Sequence, residues 1–293
     1  MSYREIRVHS SDGLQLHARD YGPLDTDPVP VVCLPGLTRN AKDFETIAGW
    51  LAQTRRVIAP DFRGRGQSGH AADPLTYRPD VELADTLHLL DQTGIGRVAV
   101  IGTSRGGIVA MVMAAKAPER LAGVLLNDIG PRIDRAGLIR IRTYLGSDPQ
   151  FSGWPEAVVA LKAANPGFEA LSDAQWEAFA RRVFRDDNGL PRADYDVRLA
   201  ATFPSVDAVE QGKVPELWEL FDLLRGVPVT VLRGEHSDLL SAETVNEMRQ
   251  HLPGLATITV ADRGHVPFLD EPESRAAIAA WLAAVDGREA GRG

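Results

Sequence analysis

Gly102-Thr103-Ser104-Arg105-Gly106-Gly107 is the stretch on which the reading of this chain turns. The apolar run Val98-Ala99-Val100-Ile101 before it reads as a buried strand, and Ile108-Val109-Ala110-Met111-Val112-Met113-Ala114-Ala115 after it reads as a helix. A serine held between a strand end and a helix start, with glycines two positions to either side, fits a very sharp turn. In such a turn the serine takes a strained backbone conformation, and side chains at Gly102 or Gly106 would collide with the neighbouring helix or strand. The turn lifts the hydroxyl above the sheet edge, and the helix N-terminus behind it offers unpaired N–H groups to a developing negative charge. The same residues also fit a plain glycine-rich connection with a serine N-cap, so the rest of the chain has to discriminate.

On either side of this stretch, short apolar runs alternate with helical patterns. Strands are expected at Val29 to Leu34, Arg56 to Ala59, Val98 to Ile101, Gly123 to Leu126, Val227 to Leu232 and Ala256 to Val260. Helices are expected at Ala41 to Ala52, Val81 to Gln92, Arg105 to Lys116, Ala242 to His251 and Glu273 to Val285. Two alternating segments, Tyr3 to Val8 and Leu14 to Asp20, flank the turn signal Ser11-Asp12-Gly13 and predict an antiparallel hairpin. Continuous apolar strands alternating with amphipathic helices imply an α/β fold, a mostly parallel twisted sheet with helices on both faces. In such sheets the site lies beyond the carboxyl ends of the strands.

From Pro131 to about Gly226 no buried strand is evident. Helix-like segments there carry Trp154, Trp176, Phe179, Phe184, Tyr195, Phe203, Trp218 and Phe221. This predicts an α-helical cap inserted at 131–226 over a core made of 1–130 and 227–287, with 288–293 a flexible tail. Most of these aromatic residues are expected to hold the cap together, and two or three to line a substrate pocket.

Composition excludes several classes of function. A net charge of −8 argues against nucleic acid and anionic membrane surfaces as partners. No apolar stretch approaches the length of a membrane span, and the first residues lack the apolar core of a signal peptide, so a cytoplasmic protein is expected. The one cysteine, Cys33, sits in Val31-Val32-Cys33-Leu34 and reads as a buried small hydrophobe rather than a reactive thiol. No Cys/His cluster has metal-ligand spacing, and no cofactor or metal is expected.

A serine hydroxyl needs a base, and the base needs an orienting carboxylate. In a strand-turn-helix setting these follow at later strand ends, in the order Ser, Asp or Glu, His. His265, within Asp262-Arg263-Gly264-His265-Val266-Pro267-Phe268, is the expected base, and His236 is read as structural. Asp238, after the strand ending near Leu232, is the expected acid, with Asp128, after Val124-Leu125-Leu126-Asn127, as the alternative. The backbone N–H groups of Leu37, in Pro35-Gly36-Leu37-Thr38-Arg39-Asn40, and of Arg105 are the expected oxyanion donors.

Together these motifs resemble the α/β-hydrolase-fold serine hydrolases over nearly the whole chain. Pro60-Asp61-Phe62-Arg63-Gly64-Arg65-Gly66-Gln67-Ser68 is similar to the family's loop beside the nucleophile, and Gly264 to Pro272 to its histidine loop. Pro35 departs from the pattern, since many relatives carry histidine before the glycine. The resemblance implies hydrolysis of a small-molecule carboxylic ester or lactone through an acyl-enzyme. Ser104 also argues against epoxide hydrolases and haloalkane dehalogenases, which carry an aspartate at that position. Carbon–carbon bond hydrolysis of diketo acids and a ligand receptor on a hydrolase scaffold are the alternatives.

Overall fold

The computed structural model describes residues 2–25 and 27–291. In chain order its elements begin with β1 (Arg4–His9), β2 (Gln15–Tyr21), β3 (Val31–Leu34), α1 (Glu45–Leu51), β4 (Val57–Asp61), α2 (Pro79–Gln92), β5 (Val98–Thr103), α3 (Arg105–Lys116) and β6 (Leu121–Asn127). There follow α4 (Arg135–Tyr144), α5 (Trp154–Ala164), α6 (Asp173–Val183), β7 (Phe184–Asp187), β8 (Leu190–Ala193), α7 (Val206–Glu210) and α8 (Trp218–Asp222). The chain then returns through β9 (Val229–Gly234), α9 (Ala242–His251), β10 (Ala256–Val260) and α10 (Pro272–Ala290).

Alternation along the strands assigns each side chain to a face. In β3, Val32 and Leu34 enter one apolar cluster with residues of α2, α3 and α9, whereas Val31 and Cys33 enter the other with residues of α1 and α10. The same split runs through β5, with Val98 and Val100 on one side and Ala99 and Ile101 on the other. Covering both faces leaves these strands fully buried, which is why they read as unbroken apolar runs. The sheet order is β1-β2-β4-β3-β5-β6-β9-β10; β2 pairs antiparallel with β1 and β4, and the remaining pairs are parallel. The chain is thus an α/β fold with one mostly parallel sheet. β5 lies at its centre, so the turn after it emerges among the carboxyl ends of β3, β6 and β9.

Two expectations need correction. The segment between β6 and β9 is not wholly helical, because β7 and β8 form an antiparallel ribbon with Phe184 opposite Ala193. Both strands are short, and the ribbon's Asp187-Asn188-Gly189 connection puts Asn188 and Gly189 at positive φ. No run of buried apolar residues announces it. The end of the chain is also more ordered than expected: α10 continues through Ala290, and Glu289 pairs with Arg97 at 2.8 Å. Residues 292–293 of that predicted tail lie outside the described residues. Among the described residues no helix is long and apolar enough to cross a membrane.

The segment between β6 and β9 has its own apolar cluster, which includes Leu161, Phe168, Trp176 and Phe179 and packs against Phe268 of the loop after β10. It is tied to the sheet domain by polar contacts as well. Asp196 accepts from the Tyr77 hydroxyl at 2.6 Å, and Arg198 donates to the Ala71 carbonyl at 2.8 Å.

Candidate active site

Ser104 has φ 49° and ψ −111° between β5 and α3, a region that side chains rarely adopt. The flanking glycines are what allow it. A Cβ on Gly102 would lie 2.7 Å from the Gly106 carbonyl carbon, and one on Gly106 would run into the Leu34 carbonyl. β3, β5 and α3 therefore meet at this turn without any side chain between them.

Two further strand ends bring side chains to Ser104. The loop after β10 carries His265, whose Nε2 lies 3.0 Å from Ser104 Oγ. On its other edge, His265 Nδ1 lies 2.7 Å from Asp128 Oδ2. Asp128 follows β6 at φ 55°, a conformation aspartate tolerates better than most residues, and its side chain is fully buried. Its Oδ1 accepts from the Gly234 N–H at 2.8 Å and its Oδ2 from the Ser237 hydroxyl at 2.6 Å. A carboxylate on Nδ1 holds the proton there and leaves Nε2 as the acceptor facing the serine hydroxyl.

The expected acid is elsewhere. Asp238 does not reach His265 Nδ1; Arg140 of α4 holds it through Nε at 2.5 Å and Nη2 at 2.8 Å. Burial raises the Asp238 carboxyl, but the bidentate guanidinium outweighs this and leaves it below its usual range. The loop after β9 thus supplies donors to Asp128, from Gly234 and Ser237, rather than the carboxylate itself.

The histidine loop is fixed from two sides. Asn127, at the end of β6, donates through Nδ2 to Thr103 Oγ1 at 3.1 Å and to the Pro267 carbonyl at 3.0 Å. Glu271 accepts from the Phe268 N–H and from Arg263 Nε, both at 2.8 Å. Neither residue was singled out from the sequence. The Asn-Asp pair at the end of an apolar strand, and a glutamate just before the proline that opens α10, are the signals that mark them.

Leu37 and Arg105 border the same space. Gly36 and Leu37 line the cavity above Ser104, and a Cβ on Gly36 would stand 3.9 Å from Ser104 Cβ, so this loop passes close to the hydroxyl. Arg105 opens α3, where first-turn N–H groups have no acceptor within the helix. Beneath both residues lies a buried ionic network. Arg65, with no solvent exposure, donates through Nε to the Leu37 carbonyl at 2.8 Å and pairs through Nη2 with Glu82 at 2.7 Å. Arg105 Nε pairs with the other Glu82 oxygen at 2.7 Å. Burial raises the Glu82 carboxyl, and the two guanidiniums overcome that and hold it ionised.

Ser104 and His265 open into a cavity of about 340 Å³. Of the eight aromatic residues noted between β6 and β9, Phe179, Phe184 and Tyr195 line it, together with Tyr144 and Phe151. Trp176 packs in the apolar cluster of that segment, and Phe221 in that of the sheet. Cys33 is buried away from the cavity, and burial pushes its thiol far above its usual range. Among the described residues, Glu235, His236 and Asp262 are the group whose ligand atoms lie within 4.8 Å of one another; all three are exposed and none lines the cavity. The arrangement thus places a hydroxyl, an imidazole and a buried carboxylate in relay at the floor of an aromatic-lined cavity.

Comparison with known proteins agrees with this architecture. A family model described as alpha/beta hydrolase fold matches residues 29–272. A 3-hydroxybutyrate-oligomer hydrolase of Cupriavidus necator is 33% identical over 252 residues, covering 84% of this chain and 85% of that protein. An sn-1-specific diacylglycerol lipase of Danio rerio is 38% identical over 251 residues, covering 84% of this chain and 75% of its own. Among solved structures, an alpha/beta hydrolase from Novosphingobium aromaticivorans is 43% identical and superposes with a TM-score of 0.86 over 96% of this chain and 98% of its own.

Proposed function

The chain belongs to the α/β-hydrolase family, and from that premise we propose that it hydrolyses small-molecule carboxylic esters or lactones through an acyl-enzyme on Ser104. The observation that carries the reading is the continuous relay Ser104 Oγ, His265 Nε2, His265 Nδ1, Asp128 Oδ2, with links of 3.0 and 2.7 Å. A 3-hydroxybutyrate-oligomer hydrolase and a diacylglycerol lipase among the relatives support an oxygen ester as the bond cleaved.

In this reading Ser104 Oγ attacks the ester carbonyl carbon while His265 Nε2 takes its proton. Asp128 keeps the imidazole in the tautomer that can accept and stabilises the imidazolium that forms. The N–H groups of Leu37 and Arg105 receive the carbonyl oxygen as it becomes an oxyanion, and the Arg65–Glu82–Arg105 network keeps the two segments that carry them in register. The tetrahedral intermediate collapses, and His265 gives the proton to the departing alcohol. A water molecule then attacks the acyl-serine by the same steps in reverse and releases the acid. The segment between β6 and β9 acts as the cap that closes the cavity over the acyl and alcohol groups.

The test compares wild type with Ser104→Ala on 4-nitrophenyl butyrate and on a lactone. The variant is expected to fold as wild type does and to lose about 10⁴-fold or more in kcat/KM. Turnover within tenfold of wild type refutes the proposal.

A further inference from the structure

We propose that Arg182 is a carboxylate-binding subsite of the cavity, so that the preferred substrate carries a free carboxylate besides the bond that is cleaved. This rests on the ester-hydrolase reading and names the class of ester. The charged side chains lining the cavity are Arg39, Asp43, Arg140 and Arg182, beside His265. Asp238 occupies Arg140 with two hydrogen bonds, and Asp43 occupies Arg39 likewise. Arg182 differs from both: among the described residues no carboxylate stands within ion-pair distance of it. Its guanidinium lies 4.7 Å from the centroid of the Phe268 ring and 5.7 Å from that of Phe179.

Arg39 lies over the same Phe179 ring at 5.1 Å. Two guanidiniums therefore gather on one aromatic side chain with a single cavity-lining carboxylate between them, and that carboxylate is bound to Arg39. Burial disfavours the charge on Arg182, while Asp43 favours it and Arg39 opposes it from a distance. Asp270 and Glu271 favour it more weakly, and Glu271 is already bound to Arg263. The guanidinium is nonetheless ionised at neutral pH.

In a chain with 40 acidic and 32 basic residues, a half-buried guanidinium at the wall of a cavity is left one anion short. Ring contacts cover the faces of a guanidinium and leave the in-plane N–H fork for a carboxylate, the geometry in which arginine binds best. Arg182, Ser104 and His265 line one cavity, and Phe268, which Arg182 contacts, follows His265 by three residues, so a substrate with a spacer between its scissile bond and its carboxylate can touch both ends.

The test pairs each anionic ester with its neutral amide. On the acyl side the pair is mono-4-nitrophenyl adipate and 4-nitrophenyl adipamate; on the alcohol side it is the butyryl ester of 3-hydroxypropionic acid and that of its amide. Wild type is expected to favour the anion in at least one pair by about 10- to 100-fold in kcat/KM, carried by KM. Arg182→Gln should bring that ratio near one, and Arg182→Lys should retain part of it. If Arg182→Gln does not fold, the fall of the ratio in Arg182→Lys decides. Turnover without an anion preference, or a preference that Arg182→Gln leaves intact, overturns the subsite while ester hydrolysis stands.

If no ester turns over, the ester reading falls, and calorimetric titration of adipate decides the subsite alone. A tenfold or greater loss of affinity from Ser104→Ala to the Ser104→Ala/Arg182→Gln double variant supports it. Equal affinity, or no binding to either, overturns it.

Discussion

Replacing Asp128 by asparagine changes little in volume but cannot satisfy the three donors that now converge on the carboxylate. The Gly234 N–H uses Oδ1 at 2.8 Å, while the Ser237 hydroxyl and His265 Nδ1 use Oδ2 at 2.6 and 2.7 Å. An asparagine that keeps its oxygen on Gly234 turns its NH₂ toward His265. The imidazole must then accept at Nδ1 and carry its proton on Nε2, facing Ser104 as a donor, which is the wrong tautomer for a base. The opposite orientation sets two donors face to face at Gly234 and leaves a buried N–H unpaired, costing about 1–3 kcal/mol of stability. Asp128→Asn is therefore expected to lower kcat on 4-nitrophenyl butyrate by about 10³- to 10⁴-fold, or roughly 4–5.5 kcal/mol of transition-state stabilisation. Asp238→Asn removes only one partner of a part-exposed ion pair with Arg140 and should stay within about tenfold of wild type. Steady-state kinetics of both variants, with circular dichroism as the folding control, decides the matter. A loss in Asp238→Asn equal to that in Asp128→Asn would refute the assignment of the acid.

Glu82→Gln leaves the buried guanidiniums of Arg65 and Arg105 facing a neutral amide and should destabilise the fold by about 3–5 kcal/mol. Differential scanning calorimetry should show a fall in Tm on the order of 10 °C, and a change near 1 °C would contradict the stabilising role of the network. Asp196 gives a pH-dependent counterpart. Burial raises its carboxyl, but hydrogen bonds from Arg198 and Tyr77 prevail and bring it to about 2. A depressed folded-state value stabilises the fold above the unfolded value near 4, and that stability is lost as pH falls through about 2. Allowing for the half-exposed Arg198, the contribution is about 1–2 kcal/mol. The Tm gap between wild type and Asp196→Asn should be constant above about pH 4 and close between about pH 4 and 2; a gap that does not narrow contradicts the coupling.

The sheet was legible because its central strands β3, β4, β5 and β6 are buried on both faces and alternate with helices. Ala256 to Val260, Arg105 to Lys116 and Ala242 to His251 match β10, α3 and α9 end to end, and the other expected strands shift by at most two residues at either end. That Ser104 and His265 meet could be anticipated for a related reason: the glycines of the first turn and the loop after the last strand leave local marks. Which carboxylate meets His265 could not be resolved, because Asp128 and Asp238 both follow apolar strands and both fall between Ser104 and His265 in the chain. What separates them is a contact across 98 residues, Arg140 to Asp238, that no local pattern records. The β7–β8 ribbon was missed because four of its eight residues are charged, only Pro191 is buried, and no alternation marks an inward face.

The proposed chemistry needs one hydroxyl, activated by one imidazole. Reaction with a fluorophosphonate probe followed by intact-mass and peptide analysis reports on that pair by itself, because such probes need an activated serine rather than a particular substrate. One adduct per chain is expected, on Ser104, absent from Ser104→Ala and slowed at least 100-fold in His265→Ala. An adduct on another residue, or labelling of Ser104→Ala at the wild-type rate, would contradict it.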